Sequence, residues 1–278
     1  MAKIAALTML RNDEFFLARW VDYYGKALGR ENLYVFFDGL DQQVPPFCEG
    51  VHVLKCEHRN LERLAGDRHR IDFLSGEAEK LFAVYDMVIG TDVDEFLVPD
   101  PELGLSLAEI LSTADRSWTS VSGLGIDVGQ IIGEEGPVSS DAPLLSQRSR
   151  AFLNTRYTKA SVLLKPARWG SGFHRVRGHN FHILPGLFLF HFGSCDLGRI
   201  KAKMGGDMAL REGWSEHLRR RAATIAYCTD IPASDWDSSV RKARRLQSFF
   251  RPVYALDKPA MPGRKKVVRI PERFKTIV

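Results

Sequence analysis

The sequence has no long apolar run: no segment approaches the ~18 consecutive apolar residues that argue a membrane span. Its opening, M-A-K-I-A-A-L-T-M-L, is too briefly apolar for a secretory signal and is followed at once by Arg11, Asn12, Asp13 and Glu14. Cysteine is scarce. The four present, Cys48, Cys56, Cys195 and Cys228, are widely spaced with no C-x-x-C pair, which argues against a disulfide framework and fits reduced thiols. There is no internal repeat and no low-complexity tract. The expectation is a cytoplasmic globule, since 278 residues with 45% apolar content supply a sizeable core in one large domain or two small ones.

Negative charge is nearly absent from one end. From Arg241 onward twelve Lys and Arg face two acids, Asp257 and Glu272, so the total of +5 conceals a basic tail on a mildly acidic body. Such a tail suits an anionic partner, either membrane headgroups or nucleic acid, or else is a solvated end. Between Ser239 and Phe250, the residues Val240, Ala243, Leu246, Phe249 and Phe250 fall along one helical side, with Arg241, Lys242, Arg244 and Arg245 around it. That is an interfacial pattern. The expectation is a body over 1–235 and a basic helix and tail over 236–278 able to attach peripherally to the inner face of a membrane, with nucleic acid the less favoured partner.

What is present begins with strands and helices in alternation. Ile4 to Leu10 reads as a buried strand, and Phe16, Leu17, Trp20, Val21, Tyr24 and Leu28 then recur at helical spacing after a cap at Asn12 or Asp13. Leu33 to Phe37 and Val51 to Cys56 read as further strands, and Asp67 to Tyr85 as a helix leading to a strand at Met87. This order implies a largely parallel, open sheet with right-handed crossovers. Beyond Phe96, Ser106 caps a short helix, Trp118 to Val128 looks extended but carries Gly123 and Gly125, and Glu134 to Pro143 is a polar loop. Ala160 to Leu164 and Leu187 to Phe192 are strand candidates; Trp214 to Cys228 and Trp236 to Phe250 are amphipathic helix candidates.

The stretch M-V-I-G-T-D-V-D-E-F, Met87 to Phe96, organises the rest. A short apolar run ends abruptly in acids, and strand alternation would point Asp92 and Asp94 the same way while Val93 faces the core. Open α/β sheets bind ligands beyond the carboxyl ends of their strands, where such a pair could hold a hard divalent cation and, through it, a diphosphate. A solvated helix entry is the blander reading of a bare D-x-D. The histidines between Trp169 and His182 do not read as a zinc site, because no cysteine and no tight ligand pair accompanies them.

Four motifs in this order and spacing, R-N-D-E at Arg11 to Glu14, F-F-D-G at Phe36 to Gly39, T-D-V-D-E-F at Thr91 to Phe96 and F-L-F-H-F at Phe188 to Phe192, resemble the bacterial glycosyltransferase family 2-like proteins, nucleotide-sugar glycosyltransferases of the GT-A fold. The likeness runs through Lys203. It departs after Asp38, where Gly39, Leu40 and Asp41 replace the usual Asp-Asn and its polar pair. The resemblance implies a GT-A-like α/β fold, with an open, mostly parallel sheet flanked by helices and a helical basic C-terminal region. It implies Mn²⁺ or Mg²⁺ on Asp92, Asp94 and His191, and a nucleoside-diphosphate sugar donor. Met9, Arg11 and Asp38 would hold the nucleoside, Arg68 a phosphate, and Lys203, with Lys201, would close the pocket. An inverting enzyme needs a carboxylate base at the acceptor hydroxyl, for which Asp127 leads, followed by Glu134 and Glu135. His174, flanked by glycines, would orient a saccharide or lipid-linked acceptor in polysaccharide or glycolipid synthesis. The competing classes are a metal-dependent phosphatase, which would carry its D-x-D after the first strand; a nucleotidyltransferase, for which the glycine-rich, lysine-bearing loop is missing; and a non-catalytic basic-tailed binding module.

Overall fold

A computed structural model describes residues 2–205, 214–263 and 265–278. One half of its ten-stranded sheet is parallel: β1 (Ile4–Leu10) lies between β2 (Leu33–Asp38) and β4 (Met87–Gly90), with β3 (His52–Cys56) outside β2. The near-continuous apolar character of β1, β2 and β4 follows from burial on both faces. The pleat sends Ile4, Ala6, Val35, Phe37, Met87 and Ile89 to one side, into a cluster with Phe16, Leu17, Trp20, Val21 and Tyr24 of α1 (Glu14–Leu28). It sends Leu7, Phe36 and Val88 to the other, against Ile71, Leu74 and Ala78 of α2 (Arg63–Leu81). β3, the edge strand, is largely exposed.

Beyond β4 the sheet becomes mixed. The two-residue β8 (Val162–Leu163) joins β4 to β6 (Ser120–Gly129), and β6 carries antiparallel β7 (Arg150–Leu153) and then β10 (Val267–Arg269). β9 (Ile183–His191) runs parallel to β6 and antiparallel to β5 (Glu95–Pro99). The open α/β sheet flanked by helices is therefore the expected one, parallel in the half whose strand β4 leads into T-D-V-D-E-F. Close approach of neighbouring backbone requires both Gly123 and Gly125. A Cβ on Gly123 would lie 2.7 Å from the backbone of Phe188 and Leu189, and one on Gly125 would collide with the backbone of residues 154–158.

The remaining helices are α3 (Leu107–Ser112), closed by a capping box between Ser106 and Glu109, then α4 (Leu197–Gly205), α5 (Trp214–Asp230) and α6 (Trp236–Phe249). Asp13 stands at the N-cap of α1 as expected but makes no side-chain cap bond; its carboxylate pairs with Lys203 at 3.0 Å instead. No helix among the described residues is long and apolar enough to cross a membrane.

The C-terminal segment departs from its expected separation. Trp236, Val240 and Ala243 of α6, with Val268, Ile270 and Phe274, belong to the same core cluster as β1 and α1, and the Trp236 ring packs 5.2 Å from Phe188 and 5.1 Å from Phe274. β10 extends the sheet, and Arg273 clamps Asp100, Glu102 and Asp237. A boundary at 235/236 would thus cut one core, and the upper part of the helix's apolar side packs on protein rather than lying free for an interface. Replacing Phe274 with Ala should cost about 3–5 kcal/mol, read as a lowered urea midpoint. Ending the chain at residue 235 should abolish cooperative unfolding; a truncated chain melting like the full one would show that the segment is dispensable.

Candidate functional site

β4 stops at Gly90, where a Cβ would lie 2.6 Å from Phe173 and 2.8 Å from Trp169, and the chain turns before β5 resumes at Glu95. The turn is anchored from both sides. Trp20 Nε1–H donates to Thr91 Oγ1 at 2.9 Å, and the Glu95 N–H donates to the Asp92 carbonyl at 3.0 Å. Because the strand ends before the acids, its alternation no longer decides where they point: Asp92 turns to one set of cations and Asp94 to another.

The first set comes from α2 and the turn before β8. Arg70 Nη1 lies 2.7 Å and Lys159 Nζ 2.9 Å from the Asp92 carboxylate; Lys159 also touches Glu95 Oε1 at 2.6 Å, and Arg70 reaches back to Asp67 at 3.1 Å. The second comes from α5 and the end of β9. Arg221 Nη2 lies 3.0 Å from Asp94 Oδ2, which is also 3.5 Å from His191 Nε2. The other ring nitrogen of His191 donates to Asp127 Oδ1 at 2.7 Å, and the ring stacks on Tyr157 with centroids 3.7 Å apart. Asp127 Oδ2 accepts from Thr224 Oγ1 at 2.7 Å and Asn154 Nδ2 at 3.2 Å. Gly193 keeps this side open, since a Cβ there would sit 2.6 Å from His191 Nε2.

Burial and pairing pull against each other here. Burial acts to raise the Asp92 and Asp94 carboxyls, but Lys159 and Arg70 overcome it at Asp92, and Arg221 and His191 overcome it at Asp94, so both stay below the usual carboxylate range. Glu95, completely buried, goes the other way. Its burial outweighs Lys159 and, with Asp92 and Asp94 adding to it, pushes the carboxyl up to about 7. Burial would lower His191, but Asp94 and Asp127 raise it to about 8.

Asp94, Glu95 and His191 each offer a ligand atom within 4.8 Å of the others, so this group can hold a divalent metal ion. Two observations support the fit. Glu95 Oε1 meets Lys159 outside hydrogen-bond geometry and Oε2 has no hydrogen-bond partner among the described residues, so a fully buried carboxylate is left with free lone pairs. Asp127 holds the far nitrogen of His191 and so orients the near one, as a carboxylate behind a metal-bound histidine does. Asp92, anticipated as a ligand, lies outside this group and is held by Arg70 and Lys159, while Glu95, which was not anticipated, lies within it. A second acidic group, Asp100, Glu102 and Asp237, is already occupied by Arg273.

The other anticipated residues divide. Met9, Arg11 and Asp38 gather at the carboxyl ends of β1 and β2, where Arg11 donates to the Asp38 carbonyl at 2.7 Å and grips Asp41, while Asp38 Oδ2 accepts from His58 at 2.9 Å. Lys203 acts on Asp94 through space from its pairing with Asp13; Lys201 is exposed. His174 lies within electrostatic reach of Lys159 and Asp92, and its burial, with Lys159 and Lys258, holds it well below its ordinary value. Three expectations are corrected. Asp127 is 1% exposed and fully engaged with His191, Thr224 and Asn154, so it positions the imidazole and is not open to an acceptor hydroxyl. Glu134 is exposed on the turn after β6 with no side-chain partner among the described residues, and Glu135 is tied to Ser149 and the Ile131 backbone. Arg68 is exposed in a groove of about 370 Å³ with Arg168, Trp169, Arg177 and His179; Arg70, two residues on, is the arginine that meets Asp92. Lys159, Arg221, Tyr157 and Thr224 carried no sequence signal.

No family model and no curated protein matches this chain. Among solved structures it is similar to the crystal structure of mannose-1-phosphate geranyltransferase from Thermus thermophilus, at 14% identity and a TM-score of 0.30, over 82% of this chain and 69% of that one; a likeness so slight carries no argument.

The titrations set a pH dependence. Glu95 and His191 both hold their protons more tightly folded than unfolded, so their contribution is lost as pH rises through about 7 and about 8. Asp92 and Asp94, held low, contribute above the usual carboxylate range and are lost only as pH falls below it. His174 and His182, held low by burial, oppose this below about pH 6.5, so without metal the melting temperature should fall between roughly pH 6.5 and 8.5. Mn²⁺, which binds the deprotonated ligands, should raise it most at the alkaline end, and Glu95→Gln should flatten the acidic part of the slope. A melting temperature that rises with pH across this range would contradict the assigned shifts.

Proposed function

We propose that the protein transfers a sugar from a nucleoside-diphosphate sugar to an acceptor hydroxyl, with Mn²⁺ or Mg²⁺ held by Asp94, Glu95 and His191. The observation that carries this reading is a buried group of two carboxylates and one imidazole able to hold a metal, beside the buried Lys159 and the half-buried Arg70 and Arg221, at the carboxyl end of a parallel strand, where open α/β sheets bind their ligands. The bound metal supplies neutralisation of the charge that builds on the departing diphosphate.

The chain's own residues do the rest. Arg221 and Lys159 neutralise Asp94 and Glu95; were those acids engaged by a cation, both side chains would be free to donate to diphosphate oxygens. Arg70 stays on Asp92 and Asp67 and keeps Asp92 ionised against the ribose. Asp38, with Met9 and Arg11, walls the nucleoside. Asp127 fixes the His191 tautomer, and His174, kept neutral by its surroundings, offers the acceptor a hydrogen-bonding ring without a competing charge.

Calorimetry with a panel of nucleoside diphosphates, with and without Mn²⁺, tests this. Asp94→Asn and Glu95→Gln should abolish the metal-dependent part of binding, and Asp127→Asn should weaken metal affinity by about 10–100-fold. Unchanged metal-dependent binding in Asp94→Asn sinks the assignment. Product analysis separates the rival chemistries: a glycosyl transfer yields nucleoside diphosphate, a phosphatase inorganic phosphate, and a nucleotidyltransferase consumes or releases pyrophosphate.

A further inference from the structure

α6 ends in a cluster of side chains that protein packing does not explain. Its first half delivers Trp236, Val240 and Ala243 to the core, but the turns that follow expose Phe249 (79%), Phe250 (39%), Val253 (102%), Tyr254 (81%) and Leu256 (74%) within eight residues. The segment has a held shape. Ala255 is buried, the Ala260 N–H donates to the Phe250 carbonyl at 3.0 Å, and Arg251 lies 4.1 Å over the Phe181 ring while donating to the Ser248 carbonyl at 2.9 Å. Asp257 is tied to Arg175 at 3.0 Å. An apolar ridge presented outward by a built loop marks an interaction surface.

Charge decides among occupants. Arg241, Lys242 and Arg245 are exposed on the helix that leads to the ridge. A two-fold pairing with another copy of this chain would bring these cations against their own equivalents. Phe249, Phe250 and Tyr254 could stack on bases, but the exposed aliphatic tips at Val253 and Leu256 gain nothing from a nucleic acid. An anionic lipid surface satisfies both features, with apolar tips entering the acyl boundary and cations meeting headgroups. We propose that the 249–256 ridge inserts into an anionic membrane surface while Arg241, Lys242 and Arg245 hold its headgroups. The same loop borders the candidate site: Lys258 acts on His174 through space, and Gln247 of α6 accepts from Thr158 Oγ1 at 2.6 Å, one residue before Lys159. Docking by the ridge therefore brings the acceptor side of the site to the lipid surface. The proposal does not depend on the donor chemistry.

Flotation of the full chain tests it, using mixed phosphatidylglycerol–phosphatidylcholine vesicles and phosphatidylcholine alone. The protein should float with the acidic vesicles at low salt and be released at high salt. Two variants, Phe249→Ser/Val253→Ser/Tyr254→Ser/Leu256→Ser and Arg241→Glu/Lys242→Glu/Arg245→Glu, should each lose roughly a hundredfold in vesicle affinity while keeping the melting temperature. Tyr254→Trp should show a blue-shifted emission, quenched by acyl-chain quenchers, on addition of the acidic vesicles. Absence of flotation, or flotation that the apolar variant leaves unchanged, overturns the proposal. So does a concentration-dependent dimer, or DNA binding, that the same variant removes in protein that does not float.

Discussion

Four carboxylates, Asp92, Asp94, Glu95 and Asp127, converge beyond one buried strand, and the cost of keeping them there governs what surrounds them. Each has a counter-group from a different part of the chain: Arg70 from α2, Lys159 from the turn before β8, Arg221 and Thr224 from α5, and His191 from the end of β9. Lys159 with Glu95 and His191 with Asp127 are fully buried pairs, and removing one partner outright leaves an uncompensated charge at about 3–5 kcal/mol. The second half of the chain is therefore needed to complete the site as much as to cover the sheet, and Gly123 and Gly125 matter because they let β9 and residues 154–158 close over β6.

That dependence explains what could be read beforehand. β1, β2, β4 and α1 follow from local pattern, because burial on both faces leaves uninterrupted apolar runs and an amphipathic helix announces its period. β5, β7 and β10 are short and defined by their partners, and nothing in E-F-L-V-P or R-A-F-L distinguishes a strand from a covered turn. Within the site, Asp92, Asp94 and His191 stood in recognisable motifs, and Glu95 stood beside them unassigned. The choice of Arg70 over Arg68 was hidden in the weak periodicity of α2, whose buried face is only Ile71, Leu74, Ser75 and Ala78. Lys159 and Arg221 belong to the site by long-range closure, which spacing along the chain does not encode.

The basic tail carries a related lesson. Helical periodicity identifies an apolar side correctly but does not say what it meets, since a protein core and a lipid boundary select the same residues. Val240 and Ala243 answer to the core, and Phe249 and Phe250 remain outside it. Arg241, Lys242, Arg244 and Arg245 are carried on a helix whose root is fixed by Trp236 and Phe274.

Fixing the root gives the exposed end a defined place relative to the site, and the same logic holds among the buried charges. Lys159 and Arg221 are paired to acids that, with His191, could also hold a cation. Adding a divalent cation alone overcharges this enclosure. Adding a diphosphate alone places anion against Asp94 and Glu95. On the proposed reading the two additions together would keep the enclosed charge near its present balance, so metal and diphosphate binding would reinforce each other by electrostatics without a change of fold.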